Sequence, residues 1–154
     1  MITGNGEGHT QNQLILRSRL SDIAQVPAWI ENLASRYAFP ENIRFAMDLC
    51  LEEALSNIIH HAYGRESDRP VTVRFLEPRK GDFVLVIEDE APRFNPLDAP
   101  ELPALNPREE IRIGGQGLRL LRRFADTLEY EPTPTGNRLR MRFSIAGSAV
   151  RAKA

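Results

Sequence analysis

The sequence predicts an α+β fold in which a mixed, largely antiparallel sheet is covered on one face by helices. The predicted elements follow the order strand, two helices, strand pair, loop, helix and strand pair. Strands therefore come in hairpin-length pairs and do not alternate singly with helices, which disfavours a doubly wound parallel sheet. The chain has 154 residues, 42% hydrophobic and 27% charged, which fits one domain with its own core.

The chain opens with a strand and a helix. Residues 13–20 alternate well enough to predict a strand. Residues 23–39 place apolar side chains at helical spacing, and Ser21 or Asp22 can cap this helix. Pro27 is tolerated in its first turn, where the missing N–H removes no helical bond.

A central helix is predicted over residues 45–63, with two stripes of side chains at helical spacing. The stripe that we expect to be buried consists of Met47, Leu51, Ala54 and Ile58. The second stripe consists of Ala46, Cys50, Glu53, Asn57 and His61. Glu53 and Asn57 are four residues apart, so they lie one above the other. A carboxylate and an amide beside small apolar residues suggest a functional face; the alternative is a surface charge and an amide tolerated outside the core.

The second half of the chain contains two strand pairs and a third helix. Strands are predicted over residues 71–77 and 83–88, then over 127–130 and 137–145. The helix is predicted over residues 118–125. Between them, residues 90–115 hold five prolines and few apolar side chains, which is typical of a functional lid or a disordered segment.

Charge and cysteine content narrow the class further. The formal net charge of −1 gives no bulk electrostatic case for binding nucleic acid or an anionic membrane. The single cysteine, Cys50, fits a reducing compartment and is expected to be a small buried hydrophobe, not a reactive thiol. No apolar run is long enough to span a bilayer. Residues 1–12 are predicted to be a disordered leader and residues 147–154 a frayed tail, and we expect a cytoplasmic protein.

Three clusters of residues carry chemistry. Glu53 can orient or deprotonate a hydroxyl, and the Asn57 amide oxygen is a hard ligand suited to Mg²⁺. Asp89 ends a buried strand, where a carboxylate accepts hydrogen bonds from a base, although it can equally be a turn residue. Gly114, Gly115, Gln116 and Gly117 precede a helix, whose N–H groups point at an anion such as phosphate, although glycine also caps and hinges helices. Neither GxxxxGK[ST] nor GxGxxG is present.

These clusters, in this order, resemble the GHKL ATP-binding fold, a two-layer α/β sandwich of the Bergerat type. The shared pattern is ExxxN on a helix, D-x-[G/A]-x-x-F after a strand, and GGxGL opening a helix. The segments LEEALSNIIHHAY, EDEAPRFNP and GGQGLRLLRRFAD are most similar to anti-sigma factor serine-protein kinases of the RsbW type. The resemblance covers nearly the whole chain and implies one domain over residues 13–146.

The resemblance implies a role for each matching residue. Asn57 would bind the Mg²⁺ that bridges the phosphates of ATP, Glu53 would be the base that activates an acceptor serine, and Asp89 would accept a hydrogen bond from the adenine amino group. Backbone contacts to the phosphates would come from Gly115, Gln116, Gly117 and Leu118. Residues 96–113 would form the lid. His61 matches a family histidine with a packing or ligand role, and His60 is expected to be structural or at the surface.

The resemblance also implies partners: an anti-anti-sigma protein with a STAS domain, a sigma factor, and a second copy of this chain. One departure is Ala91, where the family has glycine two residues after the aspartate. Its methyl group narrows the adenine pocket unless its φ is negative. The alternative function is therefore a partner-switching module without kinase activity. Hydrolysis of ATP coupled to large motions is disfavoured.

Overall fold

The computed structural model describes residues 12–98 and 117–146, which form a five-stranded sheet with helices packed on one face. The strands are β1 (Gln13–Arg17), β2 (Pro70–Arg79), β3 (Asp82–Asp89), β4 (Thr127–Pro132) and β5 (Asn137–Ser144). Their order across the sheet is β1-β2-β3-β5-β4, and each pairing among these strands is antiparallel. The predicted α+β fold is confirmed.

Three α-helices cover the sheet: α1 (Val26–Tyr37), α2 (Glu41–Asn57) and α3 (Gly117–Phe124). The first strand is shorter than predicted because Leu20–Gln25 forms a 3₁₀ helix. The capping prediction was wrong: α1 begins after Gln25, and the Asp22 carboxylate instead accepts a hydrogen bond from the Arg17 N–H at 2.9 Å.

The central helix begins four residues earlier than predicted and ends differently. Pro40 precedes α2 in an extended conformation, and the helix runs from Glu41 to Asn57. The chain then continues as a π-helical turn, Ile58–Ala62. Turns of this kind are rare and occur frequently at functional sites.

The core lies between the helices and the inner face of the sheet. The predicted stripe of α2 is confirmed, because Met47, Leu51, Ala54 and Ile58 are all buried, as is Cys50. On β5, Leu139, Met141 and Phe143 are buried on the same side and alternate with arginines that face outward.

Several predicted segments lie outside the described residues: residues 1–11 of the leader, residues 147–154, and residues 99–115 of the lid. In the described part of the chain, no helix has the length and apolar character needed to cross a membrane.

Candidate functional site

The C-terminal end of α2 and the start of α3 meet at Glu53 and Asn57. Both side chains are half-buried. A Cβ atom added to Gly117 would lie 3.0 Å from Glu53 Oε2 and 2.9 Å from Asn57 Nδ2. The backbone of α3 therefore begins directly against the two polar side chains, and a glycine at position 117 permits this approach.

Asp89 ends β3 and is 6% exposed. Its Oδ1 atom accepts two hydrogen bonds, from the Ala91 N–H at 2.9 Å and from Asn137 Nδ2 at 2.8 Å. Burial raises the pKa of the Asp89 carboxyl above its ordinary value, while the hydrogen bonds from Asn137 and Ala91 oppose that rise. Within the described ranges, no residue donates to Oδ2, so this oxygen remains an acceptor for a ligand.

A cavity joins Asn57 to Asp89 between α2, α3 and the sheet. Its walls are mainly apolar and include Ala54, Ile58, Ile87, Phe94, Pro96, Leu121, Tyr130, Asn137 and Leu139. An apolar pocket with a few convergent polar groups is the usual form of a small-molecule site. Its volume is about 20 Å³, space for about one water molecule. This volume is smaller than a nucleobase, so the cavity must widen before it can take one.

The structure brings most of the predicted site residues together. Asn57 and Asp89 line one cavity, and Glu53 lies at its α3 side through the Gly117 contact. Leu118 is buried in the first turn of α3. Gly115 and Gln116 lie outside the described residues.

Ala91 is 3% exposed and does not have a positive φ, so its methyl group fits the local backbone without strain. The two histidines of the π-helical turn are both exposed. His60 forms a hydrogen bond with Ser56, and the His61 ring stacks on Phe94 with the ring centroids 6.2 Å apart.

Sequence reasoning missed two residues of this site, Gly136 and Asn137. A Cβ atom on Gly136 would overlap the Asp89 carbonyl oxygen and lie 2.7 Å from the Glu90 Cα, so a glycine is needed beside the Asp89 backbone. Asn137 is 4% exposed and donates to Asp89. One signal was available: Asn137 occupies an inward position on the alternating strand β5, and asparagine is depleted in strands.

The donor set has a consequence for metal binding. Among the residues that the structure describes, no group of three or more His, Cys, Asp and Glu side chains is arranged to hold a metal ion. The Asn57 amide oxygen fits Mg²⁺ as a single protein ligand, because Mg²⁺ is usually bound through one or two protein groups together with phosphate oxygens and water.

The fold is that of a GHKL ATPase domain. Residues 16–143 match the model of the histidine kinase-like ATPase domain, and the chain belongs to that family. It is 31% identical over 111 residues to the serine/threonine-protein kinase BtrW of Bordetella bronchiseptica, covering 72% of this chain and 78% of BtrW. This similarity supports the resemblance to kinases of the RsbW type.

A solved structure has the same fold. The histidine kinase domain of the blue-light activated histidine kinase EL346 from Erythrobacter litoralis superimposes with a TM-score of 0.50 at 16% identity. The match covers 82% of this chain and 64% of that domain. At this identity the likeness concerns the fold alone.

Proposed function

We propose that this chain is an ATP-dependent serine/threonine-protein kinase of the anti-sigma type. It would phosphorylate a STAS-type anti-anti-sigma protein and sequester a sigma factor. The observation that carries the proposal is the cavity that joins Asn57 to Asp89, with Glu53 at its α3 side. The similarity to BtrW, itself a serine/threonine-protein kinase, supports the same reaction class.

Each polar group has one task in this reaction. The free Oδ2 of Asp89 accepts a hydrogen bond from the adenine amino group, and the apolar walls receive the ring. The acceptor hydroxyl oxygen of the partner attacks the γ-phosphorus of ATP while the bond to the ADP oxygen breaks. Glu53 takes the hydroxyl proton. Phosphoryl transfer depends mainly on positioning and on charge neutralisation, so one carboxylate is sufficient.

The Asn57 amide oxygen would hold Mg²⁺, which when bound neutralises charge on the phosphates. Backbone N–H groups at the start of α3, including those of Gly117 and Leu118, would face the phosphates, together with Gly115 and Gln116 before the helix. The proposed partners are a sigma factor, a STAS-domain protein and a second copy of this chain. This part of the proposal rests on the RsbW-type resemblance.

The direct test is transfer of labelled phosphate from ATP to a STAS-domain protein. We expect wild-type transfer, a large loss in Glu53→Gln, and little change in Glu52→Gln. Glu52 is a matched control because it is the adjacent carboxylate on α2 but lies near Asp48 and not against Gly117. Equal transfer by wild type and Glu53→Gln would remove Glu53 from the chemistry, and absence of transfer from wild type would refute kinase activity.

A second candidate function is partner switching without phosphoryl transfer. One observation favours it: the cavity of about 20 Å³ is smaller than a nucleobase. Calorimetric titration with Mg²⁺ and ATP distinguishes the two functions. Absence of binding at millimolar ATP would favour the sequestering module, whereas binding accompanied by transfer would exclude it.

A further inference from the structure

Asn137 stands opposite Asp89 in the register of β3 and β5. It is the first residue of β5, 4% exposed, and occupies the same face as Leu139, Met141 and Phe143. A buried amide in a row of apolar side chains is unfavourable unless its hydrogen bonds are satisfied. The buried Asn137 amide therefore requires hydrogen-bond partners for both its nitrogen and its oxygen.

The Asn137 amide bonds in two directions. Its Nδ2 group donates to Asp89 Oδ1 at 2.8 Å and to the backbone carbonyls of Ala91 at 3.3 Å and Pro92 at 3.1 Å. Its Oδ1 atom accepts from the Phe94 N–H at 2.8 Å and from the Tyr130 hydroxyl at 2.6 Å. An amide has two N–H donors and two lone pairs, so its whole capacity is used.

These bonds fix the orientation of the Asp89 carboxylate. Asn137 and the Ala91 N–H both donate to Oδ1, which leaves Oδ2 to face a ligand. An ionised carboxylate only accepts hydrogen bonds, so Oδ2 complements an N–H donor and repels a carbonyl oxygen. The same amide holds the backbone of residues 91–94, and Phe94 of this segment lines the cavity.

We propose that Asn137 is a positioning residue that sets the base preference of the nucleotide site. It holds Asp89 so that the remaining oxygen selects a purine with an exocyclic 6-amino group. The inference rests on the proposed function, because it assumes that the cavity takes a nucleoside triphosphate. It adds a residue that acts through Asp89 and through the backbone of residues 91–94.

The test compares two nucleotides that differ at the purine 6-position. ATP carries an amino group there and inosine triphosphate a carbonyl oxygen. Calorimetry with Mg²⁺ gives the ratio of their affinities in wild type, in Asn137→Ala and in Asn137→Ser, whose side chain is shorter and carries a hydroxyl in place of the amide. Asn95→Ala is the matched control, because the Asn95 amide accepts a hydrogen bond from the Leu97 N–H in the same loop.

We expect wild type to prefer ATP at least tenfold, since a hydrogen bond to a charged group is worth that order of affinity. In both Asn137 variants ATP affinity should fall about tenfold while affinity for inosine triphosphate changes little, so the ratio falls toward one. Asn95→Ala should keep the wild-type ratio.

Two results would overturn the inference itself, and a third would refute the proposed function on which it rests. A ratio unchanged in the Asn137 variants, with both affinities lowered equally, would show that the residue only supports the fold. If Asn137→Ala does not melt cooperatively and is therefore not folded, the ratio of ATP to inosine triphosphate affinity in Asn137→Ser decides the question. A wild-type protein that binds neither nucleotide would refute the proposed function itself. A wild-type protein that binds ATP and inosine triphosphate equally well would refute only the inferred base preference.

Discussion

Replacing Gly117 with alanine tests whether Glu53, Asn57 and the start of α3 form one site. The added methyl carbon would lie 2.9 Å from Asn57 Nδ2, 3.0 Å from Glu53 Oε2 and 3.3 Å from Asn57 Oδ1. Ordinary contact begins at 3.4 Å, so both side chains must retreat by a few tenths of an ångström. The perturbation therefore acts on the two candidate residues before it acts on the core.

The expected effects on stability and on binding differ. The obstructing atoms are the ends of side chains that can rotate, and alanine is favoured over glycine within a helix by about 1 kcal/mol. The free energy of unfolding should therefore change by less than about 1 kcal/mol. Affinity for ATP with Mg²⁺ should fall about tenfold, because displaced Asn57 and Glu53 side chains lose polar contacts to a charged ligand, and each such contact is worth about 1.5–3 kcal/mol.

Urea denaturation and calorimetric titration measure the two quantities on the same samples. Gly64→Ala is the control, because a Cβ there would meet nothing within 4 Å but the residue has a φ of +81°. It should lose about 1 kcal/mol of stability from backbone strain and keep wild-type affinity. If Gly117→Ala binds ATP as wild type does, Glu53 and Asn57 do not share a ligand site with α3.

Three further variants have distinct expected outcomes. Gly136→Ala should lose about 1–3 kcal/mol of stability in urea denaturation together with ATP affinity, because the methyl meets the Asp89 backbone and not a mobile side chain. Asp89→Asn should bind ATP weakly yet unfold at a higher temperature at pH 7. Burial raises the Asp89 pKa in the folded protein above its ordinary value of 3.8. The stability of the ligand-free protein therefore falls as the pH rises from 3.8 through the raised pKa, because the folded state then holds an unfavourable buried charge. The variant has no carboxyl at this position, so its melting temperature should lack this fall with pH. Met47→Ala, at a fully buried position, should lose about 2–5 kcal/mol in urea without altering the nucleotide preference of the protein that remains folded.

Local pattern was enough to predict the fold and the central helix face. Alternation and turn residues indicated the strands, and helical spacing identified Met47 and Leu51 as core. Asn57 and Asp89 were identified as candidate site residues because each is a polar side chain at the point where an apolar pattern ends. These inferences need only neighbouring residues, and the sequence contains such information directly.

The missed parts depend on contacts between distant residues. Asn137 meets Asp89 across 48 positions, and no local rule pairs them. Gly136 has no special backbone angle that its neighbours would predict; the need for glycine arises from the Asp89 backbone that packs against it. The π-helical turn after Asn57 likewise follows a run of residues that would suit an ordinary α-helix.

Three departures from favourable local structure lie at or beside this site. A carboxylate is buried at Asp89, a π-helical turn follows Asn57, and a glycine occupies the first turn of α3. Each feature is unfavourable for the folded chain on its own: desolvation opposes the charge, π-helical turns are rare, and glycine is a poor helix former. Asp89 and the start of the π-helical turn line the cavity, and Gly117 lies against Asn57 at its edge. Met47, Leu51 and Leu85 fill the core in the ordinary way. Local rules fail in real proteins mainly at functional or strained sites, so these three features support the proposed ligand site.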